Sequence, residues 1–301
     1  MSPDVHAVVV RWRGGDEAAV CLQSLLDHGG PRLAGITLVD SGSGDGGAER
    51  LAARFHSVRL LALAENRGFA HAVNRGVDAD DQPLQMLLNP DTVVPPGAID
   101  ALATLLDKRP QAAAAVPLLE ALDGGSQHRW QLRRLPNALR LATGRGGAPA
   151  FSIPPSAPCI AEQPAAAAWL IRRPVWRVLG GLDEGFAPAW WEDVDFCARL
   201  ARRLDDPDLG AWEGFVVQPA ARIRHRGGSS VATLGDADFL SAYARNLLRY
   251  AARHHAERLA FIRTGLRLSL TARALLRPSR TAAYRTALQA TREFSTPPET
   301  S

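Results

Sequence analysis

Lysine is almost missing from this 301-residue chain: Lys108 stands alone, so nearly all of the 35 basic side chains are arginine. Set against 31 acids, they leave a formal net charge of only +4. That is too small to argue for a nucleic-acid partner, and none is expected. Cysteine is scarce as well. Cys21, Cys159 and Cys197 are widely separated, which excludes a zinc cluster or a disulfide framework and suits a reducing cytoplasm. No apolar run approaches the ~18–20 residues that a membrane span needs. Met1 to Asp4 lacks the basic and then apolar segments of an export signal, so a cytoplasmic protein is expected. What is present is a globular composition, 46% hydrophobic and 22% charged, with enough chain for one large core and a smaller appendage.

Short apolar runs alternate with helical patterns through the first half, as in βα units. Strands are predicted at Ala7 to Val10, Ile36 to Val39, Val58 to Leu63, Leu84 to Leu88 and Ala112 to Val116. Helices are predicted at Asp16 to His28, Phe69 to Val77 and from Pro96 to about Lys108. Pro90 cannot donate to a ladder and closes the fourth strand. Residues 123–163 are rich in Gly, Pro and Arg with weak periodicity, and a stretch of that length is expected to be functional or disordered. Order resumes at Ala165 to Ile171, with helices from Pro174 to Gly180-Gly181 and from Glu192 to Leu204, and strands at Phe215 to Val217 and Ala221 to Arg224. After Asp236 the pattern is wholly helical. The division expected is an α/β nucleotide-binding domain over 1–230 and a basic helical region over 231–301.

Three acidic sites fall where strands end, the edge at which open α/β sheets bind ligands. They are Asp40, Asn89-Pro90-Asp91 and the helix-opening cluster Trp190-Trp191-Glu192-Asp193-Val194-Asp195. Asn89 and Asp91 offer oxygen ligands for Mg²⁺ or Mn²⁺, ions that commonly take one or two carboxylates and complete their shell with phosphates. The same tripeptide also reads as a plain turn. His225, after a strand and before Arg226-Gly227-Gly228, is a third candidate metal ligand. The paired tryptophans beside carboxylates suit the apolar face of a sugar, although first-turn acids also answer the helix dipole. A competing reading is a nicotinamide cofactor on Gly42-x-Gly44-x-x-Gly47, with Glu65 as the ribose acid.

Together these pieces resemble a family. Val39-Asp40-Ser-Gly-Ser-Gly-Asp45-Gly, Glu65-Asn66 through Asn74, Leu88-Asn89-Pro-Asp91, Gly180-Gly-Leu-Asp183-Glu184, Trp191-Glu192-Asp193-Val-Asp195 and then His225 occur in the order found in family-2 glycosyltransferases. The likeness covers roughly residues 5 to 230 and is greatest to rhamnosyltransferase-type enzymes of bacterial cell-surface polysaccharide assembly. It implies a GT-A fold, Rossmann-like, with a mixed sheet flanked by helices and a helical C-terminal tail. It implies inverting transfer of a sugar, rhamnose among the options, from a nucleotide-diphosphate donor to a hydroxyl of a glycan or lipid-linked acceptor.

By that resemblance Asp40, Asn74, Asn89 and Asp91 contact the donor, and Asp91, Asn89 and His225 hold the metal. Asp193 is the catalytic base, and Asp183, Glu184, Trp190, Trp191 and Glu192 face the acceptor. The chain departs from the pattern at Arg11-Trp12-Arg13, where the family usually has Thr/Ser-Tyr-Asn, and in a long stretch from Asp205 to Trp212. A silent nucleotide-sugar-binding protein is the remaining alternative. In the tail, Arg245, Arg249 and Arg253 are spaced along one helix face, with Arg263, Arg267 and Arg273 following. Basic amphipathic helices suit an anionic membrane surface, here the inner face of the membrane, and packing on the domain or on a second subunit in a homo-oligomer is the other reading.

Overall fold

The computed structural model describes residues 3–204, 212–227 and 234–295. The insertion from Asp205 therefore lies almost wholly outside the described residues. Parallel strands β1 (Val5–Arg11), β2 (Leu33–Asp40), β3 (Arg59–Ala62) and β4 (Leu84–Leu88) form half of a mixed sheet. The other half contains β5 (Thr92–Val93), β6 (Ala112–Glu120), β10 (Ala168–Arg172) and β11 (Gly214–His225), in the order β3-β2-β1-β4-β10-β6-β11-β5, with β8 (Cys159–Ala161) beside β11. β10 is antiparallel to both β4 and β6, whereas β6 and β11 are parallel. The carboxyl ends of β1, β2, β4, β6 and β11 therefore share one edge with the start of β10. A short ribbon of β7 (Leu132–Arg133) and β9 (Gln163–Pro164) stands apart.

Both faces of the sheet are covered. On β1, Val5, Ala7 and Val9 pack under α1 (Glu17–His28) and α4 (Ala98–Lys108), while Val8 and Val10 face the opposite core under α3 (Phe69–Asp78), α7 (Arg173–Leu179) and α8 (Glu192–Ala201). That alternation is the period of two of a strand buried on both sides. Gly76 lets α3 lie close: a Cβ there would come within 2.3 Å of Val8 Cγ1. Pro117 interrupts the donors of β6, and the buried Gln131 side chain completes the ladder instead. It donates to Pro117 O at 2.6 Å and accepts from Leu119 N at 2.8 Å.

The 123–163 stretch is ordered. It forms α5 (His128–Gln131), β7, α6 (Ala138–Ala142), β8 and the start of β9. Three local expectations differ from the structure. The two strands expected at 215–224 are one strand whose register shifts between Gln218 and Arg222. α2 (Gly47–Arg54) follows the Gly-rich turn, where the sparse apolar residues gave no helical period. Val20 and Leu26 of α1 are exposed, with Ala18, Ala19 and Cys21 inside instead.

Beyond residue 234 come α9 (Asp236–His254), α10 (Leu259–Leu276) and α11 (Thr281–Glu293). They are not a loose tail. Leu247, Leu248 and Tyr250 of α9 share a buried cluster with Phe186, Trp191, Val194 and Ala198, and the cluster continues into Ile262, Leu266, Leu270 and Tyr284. At about 1.5–3 kcal/mol per buried large apolar side chain, this cluster fixes the helices onto α8 and the loop before it.

Candidate active site

Asp91 sits just past β4 and is buried. Its Oδ2 accepts from Gly227 N at 3.0 Å, and its Oδ1 lies 3.4 Å from His225 Nε2 at the end of β11. Burial alone would raise this carboxyl, but His225 and the Gly227 N–H hold it below the ordinary carboxylate range. Gln127, from the 123–163 stretch, orients His225. Its Nε2 donates to the His225 carbonyl at 2.8 Å, so its Oε1, 2.9 Å from His225 Nδ1, must accept the ring proton. Trp130 stacks on the imidazole at 5.4 Å. A ring carrying its proton on Nδ1 presents Nε2 to Asp91, and two acceptors that close call for a cation, either a proton or a metal ion.

The spacing suits a metal. Adjacent ligands on a small octahedral cation lie about 3 Å apart for bonds of ~2.1 Å. A metal-bound histidine also usually donates its other N–H to a fixed acceptor, as Gln127 provides. The Asn89 amide, half-buried next to this pair, has no hydrogen-bond partner among the described residues. No third His, Cys, Asp or Glu completes a cluster among the described residues. The set therefore fits a cation shared with substrate phosphates, not a closed protein cage.

Asp193 lies close by along the chain segment that opens β10. Asn89 N donates to Ala167 O at 3.0 Å, while Ala166 N and Gln163 Nε2 reach Asp193 Oδ2 at 3.4 Å each. The segment 166–167 thus joins the Asp91–His225 pair to the carboxylate that begins α8. The turn into α8 is unusual: Trp190 and Trp191 have φ of +70° and +82°. Bulky residues in that region cost of order 1–3 kcal/mol each. Asn246 of α9 secures the turn, its Nδ2 donating to Phe186 O at 2.8 Å and Ala189 O at 3.0 Å.

Burial raises the Asp193 carboxyl, with the Arg133 charge opposing; Glu192, fully enclosed beside the Asp193 charge, is raised well above the ordinary range. Unpartnered buried polar atoms collect at this end of the sheet, including Glu192 Oε2, Gln163 Oε1 and Arg133 Nε. Buried polar atoms normally have partners, so a cluster of orphans marks a place where a polar ligand or water belongs.

Other expected site residues are engaged elsewhere. Asp40 accepts from buried Arg11 Nη1 at 2.6 Å and from Ser43 Oγ at 2.6 Å. Arg11 also pairs with Asp45 at 2.9 Å and holds that carboxyl below its ordinary value. The departure at Arg11 therefore neutralises both acids of the β2 turn. Gly42 (φ +62°) lets that turn approach the next one; a Cβ there would lie 2.4 Å from the Glu65 carbonyl carbon. Asn74 spends its side chain on Leu182 N and O, at 3.0 and 2.9 Å, and on Glu184 Oε1 at 3.1 Å. Burial would raise Glu184, but hydrogen bonds from Asn74 and His71 hold it low. Asp183 is paired with Arg249 and Arg253 at 3.2 and 3.0 Å.

The tryptophans do not form an open sugar platform. Trp191 is buried between Tyr243 and Tyr250, and half-buried Trp190 packs edge-on to Phe239, because both rings are needed to hold α9 against the turn. Nor do the α9 arginines form a free basic face. Arg245 donates to Ala187 O, and Arg249 and Arg253 are tied to the acids named above.

Asp195 is fully buried and paired with Arg199 at 2.7 Å, His254 at 2.8 Å and Arg253 at 3.2 Å. Burial would raise Asp195, but these partners hold it low; burial keeps His254 below its ordinary value, so the neutral ring donates to Asp195. Both shifts are depressions, so both contributions to stability are present at high pH. The protein is expected to lose stability as pH falls below about 6.5, where an unfolded histidine takes up a proton, and again below about 4. Asp195→Ala leaves buried charges unpaired and is expected to cost about 3–5 kcal/mol. Urea unfolding at pH 7.5 and pH 5.5 checks both; a variant as stable as wild type would contradict the pairing.

With this geometry in place, sequence comparison decides the family. The model for "Glycosyl transferase family 2" matches residues 8–159, half of the chain. The chain is a family-2 glycosyltransferase. This glycosyltransferase is 29% identical over 273 residues, 81% of its own length and 83% of the relative's, to N-acetylglucosaminyl-diphospho-decaprenol L-rhamnosyltransferase of Mycobacterium tuberculosis strains CDC 1551 and H37Rv. Its fold matches the mannosyltransferase PcManGT of Pyrobaculum calidifontis, solved with GDP-Man and Mn²⁺, at TM-score 0.55 and 17% identity, over 97% of this chain and 86% of that one. It also matches GalNAc-T7, solved with UDP, GalNAc and Mn²⁺, at TM-score 0.61 and 16% identity, over 95% of this chain and 55% of the other. The fold is the expected GT-A mixed sheet with a helical C-terminal region. The Gly42–Gly47 turn is the β2–α2 connection of a glycosyltransferase, not a nicotinamide site.

Proposed function

We propose that this glycosyltransferase moves L-rhamnose from a nucleotide-diphosphate donor to a hydroxyl of a lipid-linked N-acetylglucosaminyl diphosphate, with Asp193 as the base. The observation that carries the mechanism is the joining of two sites by residues 166–167. On one side, Asp91, His225 and the open Asn89 amide form the set that would hold a divalent ion and the donor diphosphate. That ion would supply charge neutralisation for the leaving diphosphate. On the other side, Asp193 would take the acceptor proton on Oδ2 as the acceptor oxygen attacks the anomeric carbon from the face opposite the leaving group. A single displacement with inversion follows, with no protein nucleophile. Asp40 and Asn74 are assigned to the donor side as supports: Asp40 fixes the β2 turn through Arg11, and Asn74 fixes the Leu182–Glu184 turn. Asp183, Glu184, Trp190, Trp191 and Glu192 shape the acceptor side in the same way. The choice of rhamnose and of a polyprenyl-type acceptor is supported by the mycobacterial relative.

We assign residues 1–230 to catalysis and 231–301 to support of the acceptor loop, in a protein working at the inner face of a membrane. No helix among the described residues is long and apolar enough to cross one. A thermal-shift panel of nucleotide sugars with and without Mg²⁺ or Mn²⁺ tests the donor. A nucleotide-activated rhamnose is expected to give the largest metal-dependent rise in Tm, since a ligand that binds only the folded state stabilises it by mass action. Equal or larger shifts with glucose or mannose donors would remove rhamnose from the proposal.

A further inference from the structure

α10 carries apolar side chains on two faces, and only one is used. Ile262, Leu266 and Leu270 are buried in the C-terminal core. On the outer side, Phe261, Leu268, Leu275 and Leu276 are 55%, 67%, 78% and 80% exposed. The first three are seven residues apart, two helical turns each, so they align along about 21 Å of the helix. The exposed residues between them are Thr264, Thr271 and Ala272, so the stripe is uncharged from end to end. Leu139, also exposed, is on α6, which lies against α10 at Gly265; a Cβ there would come within 2.7 Å of Ala142 Cβ. Single exposed leucines are ordinary, but a continuous stripe of them marks an interaction surface.

Charge says what covers it. Residues 258–292 contain eight arginines and no acid. Arg263, Arg267 and Arg273 are turned inward, donating to Phe294 O, Thr291 and Thr143 O. Arg258 and Arg277 remain exposed at the two ends of the stripe, Arg258 with the exposed Glu257 carboxylate 3.7 Å away. We propose that this face of α10, with Leu139, docks on the surface of an anionic lipid bilayer. A second copy of the chain is the poorer occupant, because a two-fold contact brings the same surface together with itself and would place one arginine-rich face against another, with Glu257 beside Arg258 and Asp236 beside Arg280 offsetting only part of the charge. Anionic headgroups supply that charge, and the acyl boundary takes the leucines, as for other interfacial helices. The short run from Arg133, whose charge acts on Asp193, to Leu139 belongs to the same stretch. The proposal rests on the reading that the acceptor is lipid-linked, which gives the docking its purpose.

Cosedimentation of the full chain with phosphatidylglycerol vesicles and with neutral phosphatidylcholine vesicles, at low and high salt, tests it. Wild type is expected to bind anionic vesicles, and to bind them less at high salt. The double variant Leu268→Glu, Leu275→Glu should lower that binding at least ten-fold while keeping wild-type circular dichroism and wild-type turnover on a soluble acceptor without a lipid tail. Arg258→Glu with Arg277→Glu should lower binding to anionic vesicles alone. Unchanged binding by the leucine variant, or equal binding of wild type to neutral vesicles, overturns the proposal. So does a wild-type dimer that the leucine variant converts to monomer without any vesicle binding, which gives the face to a second copy. If wild type docks as expected but transfers sugar only to acceptors that carry no lipid, the acceptor reading fails and the docking face stands.

Discussion

Asp193→Asn is expected to lower turnover by about 10²–10⁴-fold, the usual contribution of a positioned general base, with donor affinity nearly unchanged. The amide keeps the shape of the side chain and the bond that Asp193 Oδ1 accepts from Val194 N at 2.8 Å. The contacts it disturbs, from Gln163 and Ala166 at 3.4 Å, are long and weak. What it removes is the proton acceptor. Burial raises the Asp193 carboxyl above its ordinary value, which makes its carboxylate a better base than that of an exposed aspartate. The acidic limb of the pH–rate profile should therefore lie above the ordinary aspartate range, and it should vanish in the variant.

The neighbouring acids serve as controls. Glu192 is fully enclosed and raised well above the ordinary range, first by burial and then by the Asp193 charge, which favours its protonated form. Glu192→Gln mimics that state and should change turnover little. Asp195→Asn should damage stability, because Asp195 is the hub of the Arg199, Arg253 and His254 pairs. A Glu192→Gln enzyme more impaired than Asp193→Asn would transfer the base to Glu192.

The parallel half of the sheet was legible because buried strands such as Leu84–Leu88 are short, wholly apolar and bounded by turn residues. Asp91, Asp193 and His225 were legible because they follow strand ends or open a helix, which fixes their edge of the sheet before any contact is known. The support of those residues was not. Gln127 and Arg133 lie in a stretch without periodicity, and only tertiary folding brings them to His225 and Asp193. A Trp, a His and several Arg concentrated among Gly and Pro were the one available signal there. Arg11 was visible as a departure, yet its partners Asp40 and Asp45 are about thirty residues away. The α9 arginines misled because four-residue spacing shows that side chains share a face, not what that face touches. Here it touches Asp183, Asp195 and the Ala187 carbonyl. Asn246 carried a weak signal: an asparagine inside a helix, where it is intrinsically unfavourable, asks for a side-chain partner.

Asp91→Ala is expected to abolish the metal-dependent part of donor binding, and Gln127 decides whether the histidine reading is right. Among the described residues at the donor edge, Asp91 offers a carboxylate beside an imidazole nitrogen, with the Asn89 amide, which has no described partner, two residues away in the chain. Its loss leaves only neutral ligands, which hold Mg²⁺ or Mn²⁺ poorly. Donor affinity in the variant should become the same with metal and with chelator, whereas wild type should show a clear difference.

Gln127 does not reach the ion. It accepts the Nδ1 proton at 2.9 Å and is itself fixed by donating to the His225 carbonyl at 2.8 Å, so it sets which ring nitrogen faces Asp91. Outer partners of this kind are worth about 10–100-fold in metal affinity. Gln127→Leu should therefore weaken Mn²⁺ binding by that factor, read directly by titration of Mn²⁺ with nucleoside diphosphate present. Gln127→Glu retains an acceptor for Nδ1 and should recover much of the loss. A merely structural role predicts a different pattern: both variants lower Tm, and neither moves Mn²⁺ affinity. If Gln127→Leu binds Mn²⁺ as wild type does while Asp91→Ala does not, His225 is no ligand, and the ion is held by Asp91 and the substrate phosphates alone.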